Sequence, residues 1–416
     1  MKILGLICCG VAAGSAAVFG ADDFFDKVDD ALTLAGANGA LRMRLSGTVD
    51  LESYQFASPA PGLLFTGSNQ LFNPRLTLFV DAQLGSPVYV FAQARADRGF
   101  DPHDDGAHLR LDEYAIRLTP WADGCCNLQL GKFATVVGNW VPRHHSWDNP
   151  FITAPLPYEN LTGIFDAVAA PSADVLLRWA HAGPAAYRAN EYADKYLRVP
   201  VIWGPSYASG AAVSGAVGKV DYALELKNAS VSSRPEVWDV SATQWQHPTV
   251  SGRVGYRPNA MWNLGFSAST GTYLQASARP TLAAGHGLDD YRETVLGQDV
   301  SFAWHHLQVW AEIFETRFEI PIVGRADSTA YYVEAKYKFT PQFFGALRWN
   351  QQVFGTIRDA DDGQVRWGRN VWRLDLGPAY RFTPHIQLKL QYSLQHDGDG
   401  ARSYSNLLAA QFVVRF

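Results

Sequence analysis

The chain has 416 residues, of which 47% are hydrophobic, 13% aromatic and only 18% charged, with a formal net charge of −5. Charge this sparse and mildly acidic argues against a nucleic-acid partner. The length suits either two or three ordinary soluble domains or one large barrel.

The first twenty residues, MKILGLICCGVAAGSAAVFG, have a basic start at Lys2, an apolar run, and small side chains at Val18 and Gly20. This is the form of a secretory signal peptide over 1–20, with a run too short to anchor the chain. Cys8 and Cys9 lack the preceding small residue of a lipoprotein site. Residues 21–40 then read as a short periplasmic segment, with a helix within 22–37 capped by Asp22 or Asp23. Beyond residue 20 no run of eighteen apolar residues occurs, so no transmembrane helix is expected.

From residue 41 the pattern becomes strict alternation. In LRMRLSGTVDLE, Leu41, Met43, Leu45, Val49 and Leu51 share one face, opposed by Arg42, Arg44, Ser46, Thr48, Asp50 and Glu52. The same period recurs in RLTLFVDAQL, VYVFAQARAD, KVDYALELK, AYYVEAKYKF and IQLKLQYSLQ. Period two with one apolar face is a strand against an apolar medium. The pattern predicts strands near 41–52, 73–84, 87–97, 108–119, 126–136, 207–217, 219–228, 248–257, 262–273, 294–304, 307–318, 329–339, 343–353, 370–382, 385–396 and 403–416. That is sixteen strands of about the length that crosses a bilayer at a tilt. The segments ADVLLRWAHAG and LRVPVIWG within 137–206 would raise the count to eighteen if they formed another hairpin.

The connections alternate too. Short ones share a Thr-Pro form, as in RLTPWADG, KFTPQ and RFTPH, where proline ends the ladder. Long polar ones, several acidic (FDPHDDG, RDADDGQ, HDGDG), fall between them. Aromatics gather near strand ends at Trp121, Trp262, Phe339, Phe344 and Phe382. Even strand number, short turns on one side, long loops on the other and aromatic girdles together predict an all-β, transmembrane antiparallel β-barrel over 41–416. Its last strand, ending AAQFVVRF, closes against the first, which explains apolar residues at every second position to Phe416.

This architecture resembles the general porins of Gram-negative bacteria, and Gly131, Lys132, Phe133 and Gly138 in LQLGKFATVVGNW are similar to a short stretch of the carbohydrate- and phosphate-selective porins. The resemblance implies an outer-membrane location among lipids and lipopolysaccharide, a homotrimer, and a loop after the fifth strand that folds inward as the constriction. Residues 140–166 suit that loop, with four prolines to stiffen it, aromatics to pack it and charges of both signs. The expected constriction residues are Arg95, Asp97, Lys132, Arg143, His144, His145, Trp147, Asp148, Tyr158 and Glu159.

Adjacent histidines in an extended segment point apart, so His144 and His145 are not expected to share a metal ion. Cys125 and Cys126 read as two thiols, because a bond between neighbours is strained. Nothing calls for a cofactor. Eleven basic against nine acidic channel-facing positions fix no ion selectivity, and aromatic faces beside mixed charge suit neutral polyols. The expected function is passive diffusion of small hydrophilic solutes, carbohydrates among them. The competing readings are a structural or adhesive barrel plugged by 137–206, and a barrel enzyme built on HHSWD.

Overall fold

The computed structural model describes residues 24–36, 39–57, 60–98, 107–181, 195–243, 245–398 and 404–416. The expected signal peptide and the helix caps at Asp22 and Asp23 lie outside these residues.

Sixteen strands form the barrel: β1 (Leu41–Phe56), β2 (Gln70–Leu84), β3 (Val88–Asp97), β4 (His108–Leu118), β5 (Asn127–Phe133), β6 (Ala208–Val217), β7 (Val220–Lys227), β8 (Thr249–Tyr256), β9 (Trp262–Thr272), β10 (Arg292–Trp304), β11 (Leu307–Ile320), β12 (Gly324–Lys338), β13 (Phe343–Phe354), β14 (Val371–Arg381), β15 (Ile386–Asp397) and β16 (Tyr404–Arg415). Each pairs antiparallel with its neighbours in sequence, and β16 returns to β1. The eighteen-strand alternative is corrected. Ala173–His181 is a helix, α1, and residues 195–203 contribute a single bridge, Phe165 to Arg198, rather than a strand.

Closure is complete to the last residue. The β16–β1 ladder runs from Leu407 opposite Phe56 to Arg415 opposite Thr48. Gly47 and Phe416 then exchange backbone hydrogen bonds of 2.8 and 3.0 Å. Glycine is required there, since a Cβ on residue 47 would lie 2.7 Å from both the Phe416 ring and the Thr77 carbonyl oxygen. Below this level β16 has ended while β1 continues. A short strand, Thr33–Gly36, takes up the exposed edge by pairing with Leu41–Arg44. No edge of the seam is left open, as a hydrocarbon environment demands. The helix over 24–31 precedes that strand, and Phe25 stacks on His385 at the same end of the barrel.

Outward-facing residues are apolar, as in Leu224, Leu296, Leu347, Leu390 and Leu408. Two aromatic belts frame them. Trp349, Trp372, His396 and Tyr404 contact one another in a row on the long-loop side. Tyr337, Phe339 and Phe343 cluster at the short-turn side, with Tyr380 against Phe382 nearby. Phe344, expected in a belt, is buried instead, because its position has inward parity.

The core lies inside the barrel. From the insert, segments 134–181 and 195–207, the side chains of Val137, Trp140, Val141, Tyr158, Val201 and Ile202 pack against Val295, Phe314, Ala330 and Tyr332 of the wall. Toward the long-loop end, Ile164, Leu176 and Val199 join Tyr273, Phe318, Phe354 and Trp367 in a second cluster.

Leu408→Arg places a charge on the outer face of β16 and is expected to destabilise the barrel by about 2–4 kcal/mol when folded into lipid vesicles. Urea unfolding in vesicles checks this; an unchanged midpoint would mean that this face does not meet hydrocarbon.

Candidate functional site: a polar gap beside the insert

The insert is not centred in the lumen. It is fastened to the inner wall of β11–β15 by side chains that bond its peptide groups. Lys389 on β15 donates to the carbonyls of Ser146, Asn149 and Phe151 at 2.7, 3.0 and 3.2 Å. Gln391 accepts from the backbone N–H of Ile152 at 2.7 Å and of Thr153 at 3.1 Å. Arg348 on β13 donates to the carbonyls of Thr153 and Ala154 at 3.0 and 3.2 Å, and Arg373 on β14 reaches Ala154 at 2.6 Å. Glu312 on β11 accepts from Trp140 N–H at 3.1 Å and Tyr158 O–H at 2.8 Å. Gly138 permits this approach, because a Cβ there would lie 2.1 Å from the Tyr158 hydroxyl. Irregular backbone without a ladder of its own thus finds hydrogen-bond partners on the barrel wall.

The gap lies on the opposite side. A cavity of about 210 Å³ separates the insert from β1–β4 and β16. Its wall carries charge in closed pairs. Arg95 and Arg110 face each other across β3 and β4, a repulsive placement on its own. Asp112 bridges them at 2.8 and 2.9 Å, and Asp97 pairs with Arg110 at 2.5 Å. Arg75 is likewise held between Asp50, at 3.0 Å, and Glu52. The insert contributes His144, His145, Tyr158 and Glu159 to the facing side.

Of the residues expected from sequence, Arg95, Asp97, His144, His145, Tyr158 and Glu159 therefore line one cavity. Arg143 does not: it donates to Glu334 at 2.5 Å and to the Tyr332 hydroxyl at 3.0 Å and lies 4.4 Å over the Trp310 ring. Lys132 shares the outward face of β5 with Leu130 and pairs with Asp239 at 3.1 Å. Trp147 is buried between Arg381 and Arg415 near the short-turn mouth, and Asp148 beside it is exposed. Arg75, Arg110, Asp112, Asp50 and Glu52 were not among the expected site residues. Alternation did reveal the inward parity of Asp50, Glu52 and Arg75, but a register shift between Gln93 and Ala94 inserts Asp112 and hides that of β4.

The two histidines are corrected as well. The segment is not extended but forms a 3-10 turn, Val141–Arg143, directly before them. Their rings consequently lie side by side, 3.9 Å between centroids. His144 bonds to the Val141 carbonyl and the Tyr207 hydroxyl, both at 2.5 Å, and His145 packs edge-on against Phe79. Although each ring keeps part of its surface toward the cavity, burial holds His144 well below the usual imidazole range, with His145 adding repulsion. Burial and the neighbouring Arg95 and Arg75 bring His145 down to about 4. In the HHSWD stretch, His145 packs on Phe79 while the Ser146 carbonyl accepts from Lys389.

Comparison with solved structures gives the same architecture throughout. The outer-membrane channel DcaP of Acinetobacter baumannii superposes with a TM-score of 0.57 at 12% identity, covering 92% of this chain and 100% of that one. The chain has the porin fold. An anion-selective porin from Comamonas acidovorans matches this porin barrel with a TM-score of 0.55 at 12% identity, covering 90% and 100% of the two chains. The trimer form of OmpT, an outer-membrane protein of Vibrio cholerae, matches with 0.53 at 8%, over 91% and 100%. No family model matches the chain. A 183-residue stretch is 23% identical to glycerol kinase of Enterococcus casseliflavus, spanning 38% of this chain but only 35% of that enzyme.

Two outcomes are expected here. Lys389→Met leaves three buried carbonyls without a donor and should cost on the order of 2–4 kcal/mol, read as a lower thermal unfolding temperature of the folded barrel. The histidine pair is neutral in the folded state and protonates in the unfolded chain below about pH 6.5. Its contribution is therefore complete above that pH and is lost as pH falls toward 4. His145→Gln should flatten the acid limb of the stability profile between those pH values; an unaltered limb would show that His145 is solvated.

Proposed function

We propose that this chain is an outer-membrane channel for passive diffusion of small hydrophilic solutes. The observation that carries the reading is the polar cavity between the insert and the β1–β4 wall. A closed barrel whose interior were simply a core would bury paired charges on all sides. Here one wall binds the insert and the other presents Arg75, Arg95 and Arg110, with their carboxylates, to open space. Fixed charges of both signs at a narrow passage admit water and polar solutes while discouraging apolar ones.

The finer reading is that neutral polyols, sugars among them, are accommodated. The cavity combines the aromatic side chains Tyr54, Trp140, Tyr158 and Tyr207 with hydrogen-bonding groups that are mutually neutralised. Assembly as a homotrimer accompanies this proposal and is supported by the likeness to the trimer form of OmpT. A plugged barrel is the second reading, favoured by an insert whose Val137, Tyr158, Val199, Val201 and Ile202 are fully buried.

Planar-bilayer recording of the refolded protein tests both. Stepwise openings that are reduced by maltose-series sugars added to one side are expected. A folded barrel giving no steps would contradict the channel and support the plug.

A further inference from the structure

The even balance of basic and acidic lumen positions conceals an uneven distribution. Across the middle of the barrel nearly every inward arginine is matched: Arg75, Arg95, Arg110, Arg143, Arg253, Arg348 and Arg373 each have a carboxylate within 4 Å. The short-turn mouth differs. Lys336, Arg381 and Arg415 occupy inward positions at the ends of β12, β14 and β16. Among the described residues, none of the three has an ion pair.

Two of these cations converge on one side chain of the insert. The Arg381 and Arg415 guanidiniums lie 4.7 and 4.2 Å from the Trp147 ring. Arg381 is oriented by the Gln387 side-chain oxygen at 3.2 and 3.1 Å, and Arg415 by the Pro384 carbonyl at 2.7 Å. The Lys336 ammonium sits 4.2 Å over the Phe344 ring. Aromatic faces and neutral oxygens hold the charges in place without cancelling them. Asp148, exposed, is the carboxylate whose field reaches all three. Of the other charges at this mouth, Lys338 is basic and Arg44 is already paired with Asp29 at 3.1 Å. Glu334 also acts on Lys336 and Asp29 on Arg415, but Glu334 is already paired with Arg143 and Arg348 and Asp29 with Arg44, which leaves a net positive site beside the insert.

We infer that Arg381 and Arg415 over Trp147, with Lys336 over Phe344, form a binding site for a small oxyanion, a phosphate or carboxylate group, at the short-turn mouth of the lumen. Guanidinium forks suit such groups because each offers paired N–H donors in one plane. The inference rests on the channel reading for its consequence: solutes bearing such a group are retained at this end, and the conducted current favours anions.

Two readouts keep the site and the channel separable. Inorganic phosphate is titrated calorimetrically into the folded, detergent-solubilised full barrel, and reversal potentials are measured across a potassium chloride gradient. The Lys336→Gln, Arg381→Gln, Arg415→Gln triple variant should bind phosphate at least about tenfold more weakly and lose anion preference. Asp148→Asn, which leaves every proposed donor in place, should bind phosphate severalfold more tightly. Binding that shifts in both directions supports the site even if no current flows, in which case only the channel reading falls. Wild-type protein that binds no phosphate, or binding unchanged in both variants, overturns it.

Discussion

The structure depends on a capture of peptide groups by side chains. Lys389, Gln391, Arg348, Arg373 and Glu312 bond the backbone of residues 139–154 where no ladder could. Burying so many peptide groups without partners would cost more than a marginal fold can bear. Supplying partners from one wall fixes where the insert lies, and so fixes where the remaining space lies. The cavity is a consequence of asymmetric attachment rather than of any single lining residue.

That asymmetry changes how lumen charge should be read. Arg348, Arg373 and Lys389 look from sequence like channel-facing cations, but they belong to the interface that holds the insert. At the level of the cavity, the charges that meet open space are those of β1–β4 and the insert's own exposed groups. The paired ring of Arg95, Arg110, Asp97 and Asp112 shows how two arginines directly opposed across strands are made compatible by carboxylates between them. Around Trp147 the pairing stops, and net positive charge survives there.

Most of the fold was legible because lipid on one side and a polar interior on the other impose period two, and sixteen strands could be placed to within a few residues. The barrel's closing strand was legible for the same reason, since Leu408, Phe412 and Phe416 repeat that parity to the end. The insert was less so. Leu176, Leu177 and Trp179 lie in a stretch expected as a strand of an added hairpin, and it is packing against the long-loop cluster that goes with α1. His144 and His145 were misread because their pairing depends on a turn at Val141–Arg143, which sequence periodicity does not report. Arg143 was expected at the constriction for its charge, yet Glu334, distant in sequence, claims it. Lys132 was expected there from a short motif, whereas strand parity alone already placed it outward with Leu130.

At the level of the cavity the lumen is closed along β11–β15 and open along β1–β4. Cysteine accessibility tests it most directly, using the chain without its expected signal peptide and with Cys125 and Cys126 replaced by serine. Asn73→Cys on β2 should react rapidly with a charged methanethiosulfonate reagent in the folded barrel. Ala330→Cys, fully buried beneath the insert on β12, should stay unreactive until the protein unfolds. Equal reactivity at the two positions would rule out this one-sided attachment of the insert.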